Sequence, residues 1–240
     1  RDLAHSRPHR VMKEKLPDVE KSFLTKMNRL RKMMENFWGH CDPNAESKIV
    51  SFDARAVPAL KDNSMDLVFN SPPYVNAIDY QRGHKFSIFW LAGVLDTSPE
   101  DYLALAKNYV GSDRIPKAIC LEKISSKFNI PEIDQPVQAL AEKDQLKLSG
   151  IVYSYFESMK PCISEMLRVV NLGQPVIIVV GASNIKGVSI DTPEATARLA
   201  ETIQYNGTAL KRVQIIERSL DRDRRQMPIT RGIFGDGMKT

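Results

Sequence analysis

Two short stretches of the chain are continuously apolar and stop abruptly at turn-forming residues. Leu67-Val68-Phe69 runs into Asn70-Ser71-Pro72-Pro73-Tyr74, and Val176-Ile177-Ile178-Val179-Val180 stops at Gly181. Runs of this kind predict strands covered on both faces. Lys48-Ile49-Val50-Ser51-Phe52-Asp53 predicts another strand, ending in a carboxylate. From Asp18 the period changes. Val19, Phe23, Met27, Leu30, Met34 and Phe37 recur at three- and four-residue steps. That is an amphipathic helix ending near Gly39, its apolar stripe meant for core packing. Residues 80–95 predict a strongly apolar helix, and Ser98-Pro99-Glu100-Asp101 opens a further one that runs to about Tyr109 and stops at Gly111. Residues 111–133, with Pro116 and Pro131, show no period and predict a long loop. A polar helix follows from Pro136 to Lys147, then a long helix from Gly150 to Val169 that Pro161 kinks or restarts. Thr192-Pro193-Glu194 opens another helix, closed by Asn206-Gly207, and Leu210 to Arg218 alternates like a strand.

Composition bounds this layout without changing it. A chain of 240 residues that is 42% hydrophobic can bury one substantial core. The boundaries predicted are 1–46 for a basic tail and the amphipathic helix, and 47–240 for the main domain, with a helical insertion at about 96–148. No apolar run approaches the ~20 residues of a membrane span, and no signal peptide is visible. Cys41, Cys120 and Cys162 lie far apart without metal-type spacing, as in a reduced cytoplasmic protein. A chain that opens on Arg1 rather than methionine reads as a fragment, a processed form or a trimmed one.

Charge adds one element. The net charge of +5 sits at the ends, in residues 1–40 and 211–240, around a mildly acidic middle. Basic ends suit a polyanionic partner, and they also suit an ordinary solvated surface.

The chemistry concentrates at residues 66–74. Pro72 and Pro73 have no N–H to continue a ladder, and they hold the chain extended. The carbonyls before them therefore point in fixed directions, and Tyr74 follows at once. In open α/β sheets this position, beyond the carboxyl end of a strand, is where ligands bind.

Ser71-Pro72-Pro73-Tyr74 resembles the catalytic motif of the amino-group methyltransferases, which transfer a methyl from S-adenosylmethionine to N4 of cytosine or N6 of adenine in DNA. The resemblance extends upstream through Asp53, Ala54, Arg55 and the Asn63-Ser64-Met65-Asp66 lead-in. Downstream it takes in Asn76-Ala77-Ile78-Asp79-Tyr80 and the Glu165-x-x-Arg168 to Gly173 turn before the second apolar run. It implies an α/β fold, a doubly wound class I methyltransferase-like sheet with a helical insertion after the catalytic strand. It implies that Ser71 and the Pro72 carbonyl accept the two N–H bonds of the target amine and stabilise the charge that develops there. Asn70 supports the turn, Pro73 completes it, and Tyr74 stacks on a base flipped from the duplex. Asp53, Ala54 and Asn70 are the implied cofactor contacts, with Asp53 on the adenine amino group. Asp53 also reads as a helix N-cap. Arg82 and Lys85 beside the motif, and Arg224 and Arg225 in the tail, are candidate phosphate contacts. Gly181-Ala182-Ser183-Asn184 ends the second apolar run near the motif, where Ser183 or Asn184 either lines the base pocket or forms a plain turn. Serine at the first motif position leans toward cytosine N4.

The sequence departs from that family in two places. Residues 1–38 hold no glycine, so the glycine-rich cofactor loop expected after a first strand is not found, and Gln174 stands where a second glycine is usual. The loop would then come from a missing segment, a second chain or a permuted position, or the cofactor pocket is incomplete. Related Pro-Pro-Tyr motifs also serve methyltransferases of RNA and of protein amides. A non-catalytic nucleic-acid-binding relative is the remaining alternative.

Overall fold

A computed structural model describes residues 18–49, 53–75, 87–91, 93–94, 98, 104, 110–111 and 117–218. The predicted tail at 1–16, most of the helix at 98–109, and Arg82, Lys85, Arg224 and Arg225 lie outside the described residues. The chain divides into two compact units, Arg1–Ser51 and Phe52–Thr240.

The first unit contains α1, Val19–Trp38, as the apolar stripe predicts. Asp18 caps it by accepting a hydrogen bond from the Lys21 amide at 3.0 Å, and Gly39 follows its last turn. The stripe does not pack into a core. Phe23, Met27, Leu30, Met34 and Phe37 are all exposed, because the described part of this unit has no second element to cover them.

In the second unit β1, Val68–Asn70, pairs in parallel with β2, Val176–Ile178, with Val68 opposite Val176, Phe69 opposite Ile177 and Asn70 opposite Ile178. Between them in sequence come α2 (Lys117–Ile124), α3 (Pro131–Glu142) and α4 (Leu146–Val169). After β2 come the hairpin β3 (Ser183–Ile185) and β4 (Val188–Ile190), then α5 (Thr192–Glu201), then the hairpin β5 (Gln204–Tyr205) and β6 (Thr208–Ala209).

Several expectations are corrected. The strand at 48–53 is absent where described: Lys48 and Ile49 are irregular, Asp53 forms only an isolated bridge to Ala56, and 50–52 lie outside the described residues. β1 is not covered on both faces, since Phe69 is 65% exposed. The loop at 111–133 contains α2, and Pro131 opens α3 instead of breaking a loop. Proline fits a first helical turn, and the Asp134 carboxylate accepts from the Phe128 and Ile130 amides at 2.9 and 3.3 Å, closing that turn. α4 starts at Leu146, ahead of the predicted Gly150, and Pro161 does not restart it. Asn206-Gly207 does not close α5, which ends at Glu201 with Thr202 as its cap. With φ of 49° and 77°, Asn206 and Gly207 form the two-residue turn of the β5–β6 hairpin. Leu210 to Arg218 forms no strand.

The core lies among the helices. Tyr155, Phe156, Met159 and Ile163 of α4 join Ile133, Val137 and Leu140 of α3 and Ala195 and Leu199 of α5 in one buried cluster. The segment expected as an insertion thus supplies part of the core. α2 and α4 approach so closely that a Cβ at Gly150 would lie 2.5 Å from the Cys120 Cβ. Gly150→Ala is therefore expected to destabilise the fold by about 1–3 kcal/mol through overpacking. A lower denaturation midpoint at unchanged slope is the reading that checks this.

Candidate active site

β1 delivers Asn70 to the end of the parallel pair, and β2 continues past it to meet the motif. The Val179 amide donates to the Asn70 carbonyl at 2.8 Å, and the Ser71 hydroxyl donates to the Val179 carbonyl at 3.4 Å. One residue of the neighbouring segment, Val179, thus bonds through its amide to Asn70 and through its carbonyl to Ser71. With its proton directed at Val179, the Ser71 oxygen keeps its remaining lone-pair capacity for an external donor. The Asn70 Oδ1 atom is buried and has no hydrogen-bond partner among the described residues. A buried acceptor left unpaired is costly unless a ligand or water supplies a donor.

The turn is fixed from behind. Val75 is 2% exposed and belongs to the helical core cluster, so the chain re-enters the core immediately after Tyr74. Tyr74 is 44% exposed. Two glycines border it. A Cβ at Gly181 would sit 3.7 Å from the ring's Cε1, and one at Gly111 would sit 3.2 Å from the Tyr74 carbonyl oxygen. Gly111 also has a φ of +79°, which side chains rarely tolerate. Tyr74 therefore presents a half-open ring on a backbone that has little room to move.

The lead-in at 57–66 is tied to the end of α4, with Arg168 making the most of its side-chain bonds. Arg168, in the last turn of α4, donates to the carbonyls of Val57 and Leu60, both at 2.9 Å, to the Glu165 carboxylate at 2.9 and 2.8 Å, and to Asp62 at 2.6 Å. Glu165 in turn accepts from the Val57 amide at 2.8 Å, and the Tyr205 hydroxyl donates to Asp62 at 2.5 Å. Asn63, Ser64 and Met65 then bond through their amides to the carbonyls of Arg168 and Val169, and the Asn171 side chain donates to Asp66. Arg168 hydrogen bonding holds the Glu165 carboxyl below its ordinary range, against partial burial that acts the other way.

The predicted cofactor residues are arranged differently. Asp53 and Ala54 lie in an exposed turn. Both Asp53 carboxylate oxygens accept from the Arg55 guanidinium, at 2.6 to 3.1 Å, and one also accepts from the Arg55 amide. The Arg55 hydrogen bonds hold the Asp53 carboxyl below its ordinary value. A carboxylate has about four acceptor sites, and Arg55 makes two contacts to each oxygen, so a further donor would have to displace one of them. Cys162 of α4 lies close enough to Asp53 and Arg55 to feel their charges, and Tyr155, two turns earlier, borders Gly111 behind Tyr74. One helix thus underlies both the Asp53 turn and the motif. Tyr155 and Cys162 are separated along it by about 10 Å. The structure does not bring Asn184 in as a free ligand group: its side chain accepts from the Gly187 amide at 3.1 Å and closes the β3–β4 turn.

Sequence reasoning missed Val179, Gly111 and the hub role of Arg168. Only Arg168 left a signal, through its Glu165-x-x-Arg168 spacing. Among the described residues no group of His, Cys, Asp or Glu could hold a metal ion, and no helix is long and apolar enough to cross a membrane.

No family model matches the chain, and no solved structure matches it. One segment is similar to the Type II methyltransferase M.BsoBI of Geobacillus stearothermophilus, at 31% identity over 81 residues. The match covers 33% of this chain and 16% of the relative's length. Over that segment the chain is a relative of a methyltransferase.

Proposed function

We propose that this chain carries the catalytic half of an S-adenosylmethionine-dependent methyltransferase that modifies an exocyclic amino group of a DNA base, within a doubly wound α/β fold. The observation that carries this reading is the Ser71 hydroxyl donating to the Val179 carbonyl beside the half-open Tyr74 ring. That geometry orients Ser71 as an acceptor. An exocyclic amine is a weak nucleophile because its lone pair is delocalised into the ring. Ser71 and the Pro72 carbonyl accept from its two N–H groups, bias the nitrogen toward tetrahedral geometry so that the lone pair localises on it, and stabilise the positive charge that develops there. The surplus proton passes to solvent. Tyr74 stacks on the extruded base.

The residues present fit the cofactor in part. Asn70 Oδ1 is a buried acceptor lacking a donor, and Asp53 is an ionised carboxylate in an exposed turn. Both suit a molecule rich in N–H, ammonium and hydroxyl donors. When bound, that cofactor supplies an electrophilic methyl group. A thiolate nucleophile, which attack through a ring carbon requires, is disfavoured at Cys120 and Cys162. Cys120 is buried, and burial pushes the Cys162 thiol up to about 11. Direct attack by nitrogen needs no covalent enzyme intermediate.

Asp53→Asn is expected to weaken cofactor binding about tenfold through loss of a charge-assisted hydrogen bond. Isothermal titration of both proteins with S-adenosylmethionine measures the difference. The engagement of Asp53 by Arg55, with no glycine in residues 1–38, favours one second reading: a nucleic-acid-binding relative with an incomplete cofactor pocket. Incubation with methyl-labelled cofactor and DNA, RNA or protein separates the readings. Label in DNA supports the first. Label only in RNA or protein reassigns the substrate, and DNA binding without label in any of the three supports the second.

A further inference from the structure

Both hairpins of the second unit turn through two residues at positive φ. In β5–β6 these are Asn206 and Gly207, at 49° and 77°; in β3–β4 they are Lys186 and Gly187, at 51° and 76°. Such a turn favours Asn-Gly, because asparagine and glycine tolerate the left-handed region better than other residues. β5–β6 has the favoured pair. β3–β4 carries lysine where asparagine would fold better, and a residue kept in an unfavourable backbone region points to a use outside folding. The turn is closed without the lysine side chain, since Asn184 Oδ1 accepts from the Gly187 amide at 3.1 Å. A second lysine reaches the same place. Lys143, the cap residue after α3, donates through Nζ to the Lys186 carbonyl at 3.5 Å, and a Cβ at Gly187 would lie 3.7 Å from that Nζ. Both lysines are exposed, and among the described residues neither pairs with a carboxylate. Two uncompensated cations on one turn suit an anion. The turn is also close to the motif. Gly181 borders the Tyr74 ring, and Lys186 follows it by five residues, a span of at most about 18 Å even if fully extended.

We propose that Lys143 and Lys186 form a phosphate-contact site for the DNA duplex flanking the base presented to Tyr74. Each ammonium takes the place of a counterion on the DNA backbone, so the pair adds affinity and holds the duplex without reading its sequence. The hairpin gives up some stability at its turn to carry a cation at its tip. The inference rests on the reading of DNA as the substrate of the motif, and it deepens that reading by naming a surface that grips the duplex.

The test compares wild type with Lys186→Asn, Lys186→Arg and the double variant Lys143→Gln/Lys186→Asn. Each protein is measured for Tm without ligand, and for affinity to a fluorescently labelled mixed-sequence DNA duplex across a series of salt concentrations. Lys186→Asn is expected to have a Tm equal to or above wild type, because the turn gains its favoured pair. Its affinity for DNA should fall about three- to tenfold, and the slope of log affinity against log salt should shrink by about 0.9. The double variant should lose about 1.8 from that slope. Lys186→Arg, which keeps the charge, should keep the wild-type slope. Wild-type affinity and slope in Lys186→Asn overturn the proposal. So does a lowered Tm in that variant, because the lysine would then be holding the turn. Binding of wild type to an RNA duplex and not to DNA overturns it too. If wild type methylates DNA and both lysine variants bind like wild type, this proposal alone is removed. If wild type neither binds nor methylates DNA, the functional reading fails and this proposal falls with it.

Discussion

Ser71→Ala is expected to lower methyl transfer about 100- to 1,000-fold, the usual cost of losing one preorganised group that stabilises transition-state charge. Stability should barely change, because the hydroxyl's one hydrogen bond among the described residues is long, at 3.4 Å, and comes from an exposed residue. The loss should appear in kcat more than in KM, since the acceptor matters most when the amine nitrogen carries positive charge. Ser71→Asn, which restores a side-chain acceptor, should recover part of the rate. A steady-state comparison of the three proteins, with Tm measured alongside, is the check. An unchanged kcat for Ser71→Ala would remove Ser71 from the mechanism. A collapsed Tm would mean that the contact with Val179 is structural.

Arg168→Ala should have the largest effect on stability, about 2–3 kcal/mol. Arg168 is 15% exposed at its side chain and satisfies two carbonyls and two carboxylates at once. Its removal strands the Glu165 carboxylate, itself 18% exposed, beside the Val57 amide alone. The segment from Val57 to Asp66 then loses its tie to α4, and with it the approach to β1. The effect depends on pH with a definite sign. Because the folded Glu165 pKa is depressed below its ordinary value of 4.5, the pair's contribution is complete above that value and disappears as pH falls through the folded pKa. Denaturant unfolding of wild type and Arg168→Ala should therefore differ most near neutral pH and converge on acidification. A gap independent of pH would mean that packing of the arginine stem dominates.

The contrast between Ser71 and Arg168 also marks what could be read from sequence. β1 and its turn were legible because Leu67-Val68-Phe69 ends at two prolines, a local signal that no tertiary context overrides. α1 was legible for the same reason, through its stripe and Asp18. Its burial was not, because the stripe says only that a face is apolar and not what covers it. α3 was misread because Pro131 was placed in a loop and Pro136 was taken as the start of the helix. The first sits in an opening turn, where its missing N–H costs nothing, and the second is carried by burial in the core. Asn206-Gly207 closes a helix and turns a hairpin equally well by composition; only the short strands on either side decide between them. The hub at Arg168 depends on partners 106 to 111 residues away, a relation no local pattern expresses. Asp53 was expected as a strand-end acid; it stands instead in an exposed turn, paired with Arg55 two residues on.

One measurement bears most directly on the claim that Ser71-Pro72-Pro73-Tyr74 methylates an exocyclic amine. DNA is incubated with the chain and methyl-labelled S-adenosylmethionine, digested to nucleosides, and the labelled base identified. Label on N4 of cytosine or N6 of adenine, lost in Ser71→Ala, is the expected result. Label on a ring carbon, or undiminished label with Ser71→Ala, would contradict it.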